Sequence, residues 1–215
     1  MLALPLYDLP TRSASGYLIR YVLPRAVPPQ LVGPMDNKAL FSTLTIGDTI
    51  IGVGHGGPSE FCGSNNQVIM DTLSMPDVKD KVIILISCET AQVLGPALIR
   101  KGANSYIGFQ EDLVWVMDAD MASSPWGDRF AASLMMPIVD CVNTILDGKT
   151  TAVAFNVLND GLEKNASMEE DELIKSCLNF NRRNSVLLGD SAARVAARPK
   201  IFMPIPPPPI ILPIT

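Results

Sequence analysis

Short apolar runs separated by polar loops follow one another through the first half of this chain. Residues 48–54 (DTIIGVG), 81–87 (KVIILIS) and 103–109 (ANSYIGF) are such runs. Nearly continuous apolar stretches of this length are typical of strands covered on both faces of a parallel sheet. Residues 90–102 lie between the last two runs, have apolar positions at helical spacing and end in Lys-Gly, as helices often do. The strand–helix–strand order predicts a parallel crossover.

The second half of the chain has the periodicity of amphipathic helices. A long helix is predicted over 124–149, with Ser124 as its cap and a kink at Pro137, and two more over 150–165 and 167–183. For the last helix, Ser167 and Glu170 have the spacing of a capping box.

Three shorter segments complete the predicted elements. Residues 16–23 (GYLIRYVL) predict a strand at the sheet edge, because aromatic and β-branched residues favour strands. Residues 36–44 predict a short helix and 185–190 (SVLLGD) a short strand. The whole pattern indicates an α/β class with a mostly parallel sheet.

Composition limits the class of protein further. The 215 residues are 47% hydrophobic and 18% charged, which suits one large core, and we expect a single domain over 1–200. Residues 201–215 form a tail with four consecutive prolines, which impose an extended conformation. The tail is too short and too interrupted to cross a membrane, yet rich in apolar residues. We therefore expect it to dock on the domain, on a second copy or in a larger assembly.

Charge and segment length exclude several partners. The net charge is −5 and no basic stripe is present, which argues against nucleic acid. No apolar run is long enough to span a bilayer, and the N-terminal residues lack the basic start of a secretory signal. We expect a cytoplasmic protein without a membrane partner.

The chain has four cysteines and one histidine. Cys62, Cys88, Cys141 and Cys177 have neither CxxC spacing nor the density of a disulfide scaffold, so they are expected to be reduced thiols. One histidine does not make a His-rich metal site. We expect neither a metal nor a cofactor.

The single histidine and one cysteine each follow a predicted strand. His55 comes after the 48–54 strand and Cys88 after the 81–87 strand, and the carboxyl ends of parallel strands meet at one edge of a sheet. An imidazole can activate a thiol as a nucleophile, and the start of a helix at Thr90 would favour the thiolate. Glycines 54, 56 and 57 permit positive φ angles and a close substrate approach.

Simpler interpretations remain open for both residues. A histidine before Gly-Gly-Pro is often only a turn residue, and a cysteine at the end of an apolar strand is often only a small buried side chain. Cys62 is a rival nucleophile close to His55 in sequence, although its segment predicts a polar loop.

Three segments together resemble a known group of enzymes. GVGHGG (52–57), VIILISCETA (82–91) and LGPALIRKGANSYIGF (94–109) are similar to the clan of cysteine peptidases that includes caspases, gingipains, separase and CHAT domains. In that clan one apolar strand ends in His-Gly and a later one ends in the nucleophilic cysteine. The likeness is closest to the gingipain-like and CHAT branches and covers roughly 48–190. A late LLGD segment also resembles theirs, with Ser191 in place of a proline.

The resemblance implies a fold, a reaction and a set of residues. The fold would be the three-layer caspase-haemoglobinase fold, with a mostly parallel sheet between helices. The reaction would be cleavage of a peptide bond, with Cys88 as nucleophile and His55 as general acid and base. The amides of Gly56 and Cys88 would form the oxyanion hole.

In this clan, specificity lies mainly in the residue before the scissile bond. Glu60, Glu89, Glu111 and Asp112 could line its pocket, and a carboxylate there would select Arg or Lys. The simpler interpretation is that they are solvated surface charges, and an uncharged pocket would remove the basic preference. A different class of function also stays open, namely a catalytically silent caspase-like module that binds a peptide or a sister subunit.

Overall fold

The computed structural model describes residues 1–25, 30–44, 47–121 and 123–198, without the side chains of Leu40 and Leu44. The proline-rich tail at 201–215 lies outside the described residues. Its docking on the domain or on another copy stays a prediction.

The described residues form nine strands and six helices. The strands are β1 (Leu2–Leu4), β2 (Gln30–Val32), β3 (Thr49–Val53), β4 (His55–Gly57), β5 (Glu60–Cys62), β6 (Val68–Asp71), β7 (Val82–Ile86), β8 (Ser105–Phe109) and β9 (Ser185–Gly189). The helices are α1 (Leu9–Tyr21), α2 (Lys38–Leu44), α3 (Leu94–Arg100), α4 (Arg129–Leu146), α5 (Thr151–Met168) and α6 (Glu172–Asn184).

Six strands form the central sheet in the order β2-β1-β3-β7-β8-β9. Neighbouring strands are parallel throughout, except that β9 runs antiparallel to β8. The other three strands form a small antiparallel sheet in the order β4-β5-β6. The α/β class with a mostly parallel sheet is confirmed.

Helices cover both faces of the central sheet. Alternate residues of β3 and β7 point to opposite sides, as the pleat requires. Ile51 and Ile84 belong to a core shared with α1, α4, α5 and α6, whereas Ile50 and Ile83 belong to one shared with α2, α3 and the small sheet. Because both faces are buried, these strands read as continuous apolar runs in the sequence.

The strand predicted over 16–23 is wrong, because these residues lie mainly in α1. Asp8 and Thr11 start this helix with a reciprocal pair of bonds: the Thr11 amide donates to Asp8 Oδ1 at 2.9 Å, and the Asp8 amide donates to Thr11 Oγ1 at 3.3 Å. Pro10 lies in the first turn, where its missing N–H has no consequence. These starting signals outweigh the strand preference of the aromatic residues that follow.

Three helix starts also differ from the sequence prediction. α3 begins at Leu94 rather than at residue 90. Asp128, not Ser124, caps α4 by accepting hydrogen bonds from the Phe130 and Ala131 amides. Asp171 caps α6 in the same way, so the expected capping box of Ser167 and Glu170 does not form. Each aspartate directly precedes the first residue of its helix, which is the position from which a side chain can cap the first amides.

α4 is the most apolar helix of the core. By length and composition alone it would be able to cross a membrane, but 56% of it is buried inside the fold. A core helix of a soluble protein has the same character.

A proline in the middle of α4 is accommodated by α5. Pro137 has no N–H, so the Ser133 carbonyl lacks its usual helical donor. The side-chain amide of Asn165 in α5 donates to that carbonyl at 2.7 Å. Gly161, one turn earlier in α5, leaves room for the proline ring, since a Cβ there would lie 3.0 Å from Pro137 Cβ. The two helices therefore pack around the proline as a unit.

We predict that Asn165→Ala lowers the free energy of unfolding by about 1 kcal/mol, because the Ser133 carbonyl loses its donor. In a Pro137→Ala background the same substitution should have little effect, because the new N–H at position 137 can bond Ser133. Urea unfolding of the four proteins of this double-mutant cycle measures the coupling. An equal loss in both backgrounds would contradict this role for Asn165.

Candidate active site

The pairing of β3 with β7 brings the histidine and the cysteine to the same edge of the sheet. The two strands are parallel and in register, with Val53 opposite Ile86. His55 and Cys88 each lie two positions beyond this last pair. Because the strands end level with each other, both residues line one cavity.

Hydrogen bonds and strain define the turn that carries Cys88. Glu89 has a φ of +56°, a left-handed conformation that is strained for a residue with a side chain. The Thr90 hydroxyl is 2.9 Å from Ser87 Oγ and accepts a hydrogen bond from the Tyr106 hydroxyl at 2.8 Å. This buried network holds the turn on β8, and the position of Cys88 is fixed with it.

Gly54 and Gly56, on either side of His55, are required by close packing rather than by φ, whereas a Cβ at Gly57 would make only ordinary contacts. None of Gly54, Gly56 and Gly57 has a positive φ, so that part of the expectation is wrong. A Cβ at Gly56 would lie 2.6 Å from the Cys88 carbonyl oxygen and 2.8 Å from Thr90 Cγ2, and one at Gly54 would collide with the Cys62 carbonyl. Only glycine lets the backbone at 56 lie against the backbone at Cys88.

Asp8 is the side chain that holds His55. Its Oδ2 lies 2.5 Å from His55 Nε2, while its Oδ1 caps α1. Burial raises the pKa of Asp8, but hydrogen bonds from His55 and Thr11 outweigh burial and keep the pKa below its usual value. The carboxylate is therefore ionised at neutral pH and faces the imidazole. Sequence reasoning missed Asp8, because a cap residue 47 positions away gives no sign of this contact.

Cys88 is held as a thiol in the free protein. Burial raises its pKa, the Leu113 amide donating to Sγ at 3.3 Å lowers it, and Asp112 raises it as a nearby charge and as a hydrogen-bond acceptor. The net direction is upward. The expected help from a helix dipole is absent, since α3 begins only at Leu94, six positions beyond Cys88. A proton acceptor is therefore needed to turn this thiol into a nucleophile.

The other cysteines are less suited to react. Cys62 does not lie in a polar loop as predicted but in β5, where it is buried, and burial raises its pKa to about 11. Cys141 is buried in α4, with a pKa raised to about 12 by burial. Cys177 is half-buried on α6. All four cysteines are free thiols.

Beside His55 and Cys88 lies a cavity of about 350 Å³. Its walls come from the first turns of α1, the ends of β3 and β7, and residues 113–117 of the loop after β8. Six of the apolar residues that line it are Ala14, Val53, Ile86, Leu113, Trp115 and Met117.

The loop at 110–118, named here the cavity loop, is anchored by two buried polar residues. Asn181 of α6 accepts from the Val114 amide at 3.1 Å and donates to the Val114 carbonyl at 2.5 Å. Asp128 Oδ2 accepts from the Asp118 amide at 2.7 Å. These bonds give the loop a defined backbone, so the cavity has a fixed wall.

The acidic residues proposed to bind substrate lie outside this lining. Glu60 is half-buried in β5, Glu89 follows Cys88 in the strained turn, and Glu111 and Asp112 are exposed on the cavity loop. None of the four lines the cavity. Asp112 and Glu89 do act on the site, because both raise the pKa of Cys88. Within the described residues, no group of three or more His, Cys, Asp or Glu is placed to hold a metal ion.

Known structures share this architecture. A structure described as a protease superposes with a TM-score of 0.60 over 90% of this chain, at 13% identity. The complex of the RgpB pro- and mature domains from Porphyromonas gingivalis superposes with a TM-score of 0.51 over 86%, at 12% identity. The chain spans 48% and 43% of the length of these two proteins. No protein-family model matches the sequence, and no curated protein matches it either.

These likenesses show the fold. The chain has a mixed α/β architecture with a mostly parallel sheet between helix layers, as in the gingipain and caspase-like proteins, and the expected fold is confirmed. The likeness to CHAT domains stays a prediction.

We predict that Asp112→Asn accelerates alkylation of Cys88 by iodoacetamide at neutral pH. The substitution removes a negative charge and an acceptor that favour the neutral thiol, so the pKa falls and more thiolate is present. Mass spectrometry of the labelled peptide between pH 6 and 10 gives the rate. Glu111→Gln, on the same loop, is the matched control and should leave the profile unchanged. A slower or unaltered rate in Asp112→Asn would show that the carboxylate does not act on the sulfur.

Proposed function

We propose that this protein is a cysteine peptidase in which Cys88 is the nucleophile and His55 the general acid and base. One observation carries the proposal: the chain's one histidine, with a carboxylate on its Nε2, shares a cavity with the one cysteine that follows a central strand. A nucleophile, a base and an orienting carboxylate are the groups that acyl transfer through a thioester requires. The fold of known proteases agrees with this chemistry.

Acylation starts from the neutral thiol. With Asp8 on Nε2, Nδ1 is the nitrogen left to accept the thiol proton as the sulfur attacks the carbonyl carbon. The proton then passes to the leaving amine as the carbon–nitrogen bond breaks. The products of this half-reaction are a thioester on Cys88 and a free amine.

Deacylation repeats the sequence with water. His55 accepts a proton from water, the hydroxide attacks the thioester carbon, and the sulfur leaves and takes the proton back. In both half-reactions the oxygen of the attacked carbonyl becomes negatively charged and requires hydrogen-bond donors. We assign these donors to the amides of Gly56 and Cys88. The close approach of the two backbones supports this pairing.

We predict that Cys88→Ala abolishes cleavage of a positional-scanning library of fluorogenic peptides without unfolding the protein, because only the sulfur is lost. His55→Ala should lower the rate by about 10²-fold or more. Cys62→Ala is the matched control and should retain activity. Substantial turnover by Cys88→Ala, or its loss in Cys62→Ala, would contradict the assignment.

The alternative function is a catalytically silent module that binds a peptide or a sister subunit. The raised pKa of Cys88 is consistent with it, because a neutral thiol is a poor nucleophile. A peptidyl electrophile separates the two functions. Labelling of Cys88 that depends on His55 supports the enzyme. Labelling at the same rate in wild type and His55→Ala supports the module.

We predict that Asp8→Asn lowers kcat by about 10²-fold or more while KM and the melting temperature change little. Asparagine keeps an oxygen for the Thr11 amide and is a good helix cap, but it places an amide NH₂ against His55 Nε2. The imidazole then loses its acceptor and its orientation.

Asp171→Asn provides the control, since the Asp171 carboxylate caps α6 by accepting from the Leu173 and Ile174 amides and does not contact His55. Its kcat should equal that of wild type. Full activity in Asp8→Asn would show that the carboxylate serves only as a cap.

A further inference from the structure

The position of the cavity beside Cys88 determines which part of a substrate the cavity would hold. In a peptide attacked by Cys88, the side chain before the scissile bond is attached to the carbon next to the attacked carbonyl. It must therefore lie within a few ångströms of the sulfur. The cavity of about 350 Å³ that Cys88 and His55 line is the recess at that position.

The lining of this recess is uncharged apart from the reactive pair. His55 and Cys88 are the only titratable side chains among its lining residues, and no Asp, Glu, Lys or Arg belongs to the lining in the described part of the chain. A charged side chain buried there would lose its hydration without gaining an ion pair, which is strongly unfavourable.

The part of the lining that comes from the cavity loop is apolar and well anchored. Leu113, Trp115 and Met117 line the recess from the cavity loop, and Ala14 lines it from α1. Asn181 fixes the loop through both backbone groups of Val114. Because Ala14 is small, the recess stays open on the helix side and has room for a large side chain.

We infer that the site selects peptides with a large, uncharged apolar residue, such as Leu, Met or Phe, before the scissile bond. This inference rests on the proposed peptidase function. It replaces the basic preference considered from the sequence, because Glu60, Glu89 and Asp112 lie outside the lining. The recess would gain from excluding water around an apolar side chain, and its lining contains no carboxylate, lysine or arginine to pair with a charged one.

A panel of peptidyl acyloxymethyl ketones that differ only in this residue tests the inference on the full chain. In each reaction the Cys88 sulfur forms a thioether with the ketone's methylene carbon, the carboxylate leaves, and the thiol proton is released to the base. Reagents with Leu, Met or Phe should inactivate at least about tenfold faster than those with Ala, Arg or Asp. A fastest reaction with Arg, Lys or Asp would overturn the inference and leave the peptidase function standing. A failure of every reagent to modify Cys88 would overturn both.

Substitutions at two methionines provide a second test. Met117→Glu places a carboxylate in the half-buried lining and should raise the Arg-to-Leu ratio of inactivation rates at least about tenfold. Met117→Gln keeps the shape without the charge and should not produce this change.

Met121→Glu introduces the same charge on the exposed Met121, outside the lining, and should keep the wild-type profile. A folded Met117→Glu protein with the wild-type profile would overturn the assignment of the recess. Circular dichroism and melting temperature establish that each variant is folded.

Discussion

The in-register parallel pairing of β3 with β7 is the constraint on which the rest of this structure depends. With Val53 opposite Ile86, the two strands end at the same level, and the residues that follow them must pass close to each other. The two segments lie so close together that Gly56 contacts the Cys88 carbonyl, and no Cβ fits between them. The glycine at position 56 is thus a consequence of strand register. This register is specified because a slip of one residue would move every side chain of a strand into the core on the other face of the sheet.

The central strands were predictable, because a strand buried on both faces leaves a continuous apolar run in the sequence. β3, β7 and β8 follow such runs, and His55 and Cys88 were found from them. α1 was missed because its aromatic residues favour a strand, while its starting signal, Asp8 with Thr11, is a less familiar form of the capping box. The small sheet was missed because β4 and β5 have only three residues each, which is too short for an alternating pattern to be recognised.

The parts of the site that sequence could not supply are those assembled from distant segments. Asp8 meets His55 across 47 positions, and Asn181 meets Val114 across 67. Neither contact produces a periodic pattern, and each residue has an ordinary local interpretation as a cap or a helix residue. The apolar recess is hidden for the same reason, since its walls come from four separate stretches of chain. The spacing of residues along a sequence reveals neighbours within one helix or strand, but it does not reveal contacts between distant segments.

The two hydrogen bonds of Asn181 determine which parts of this scaffold can change independently. They tie the loop wall of the recess to the helical layer, whereas His55 and Cys88 follow β3 and β7 of the central sheet. In the proposed peptidase, the helical layer thus holds the loop wall of the recess, and the strands align the two reactive side chains. Substitutions on α6 or the cavity loop can reshape the recess while the strand register that aligns the reactive pair stays untouched. For the proposed peptidase, such a scaffold would let the preferred side chain change while the reactive pair stays aligned.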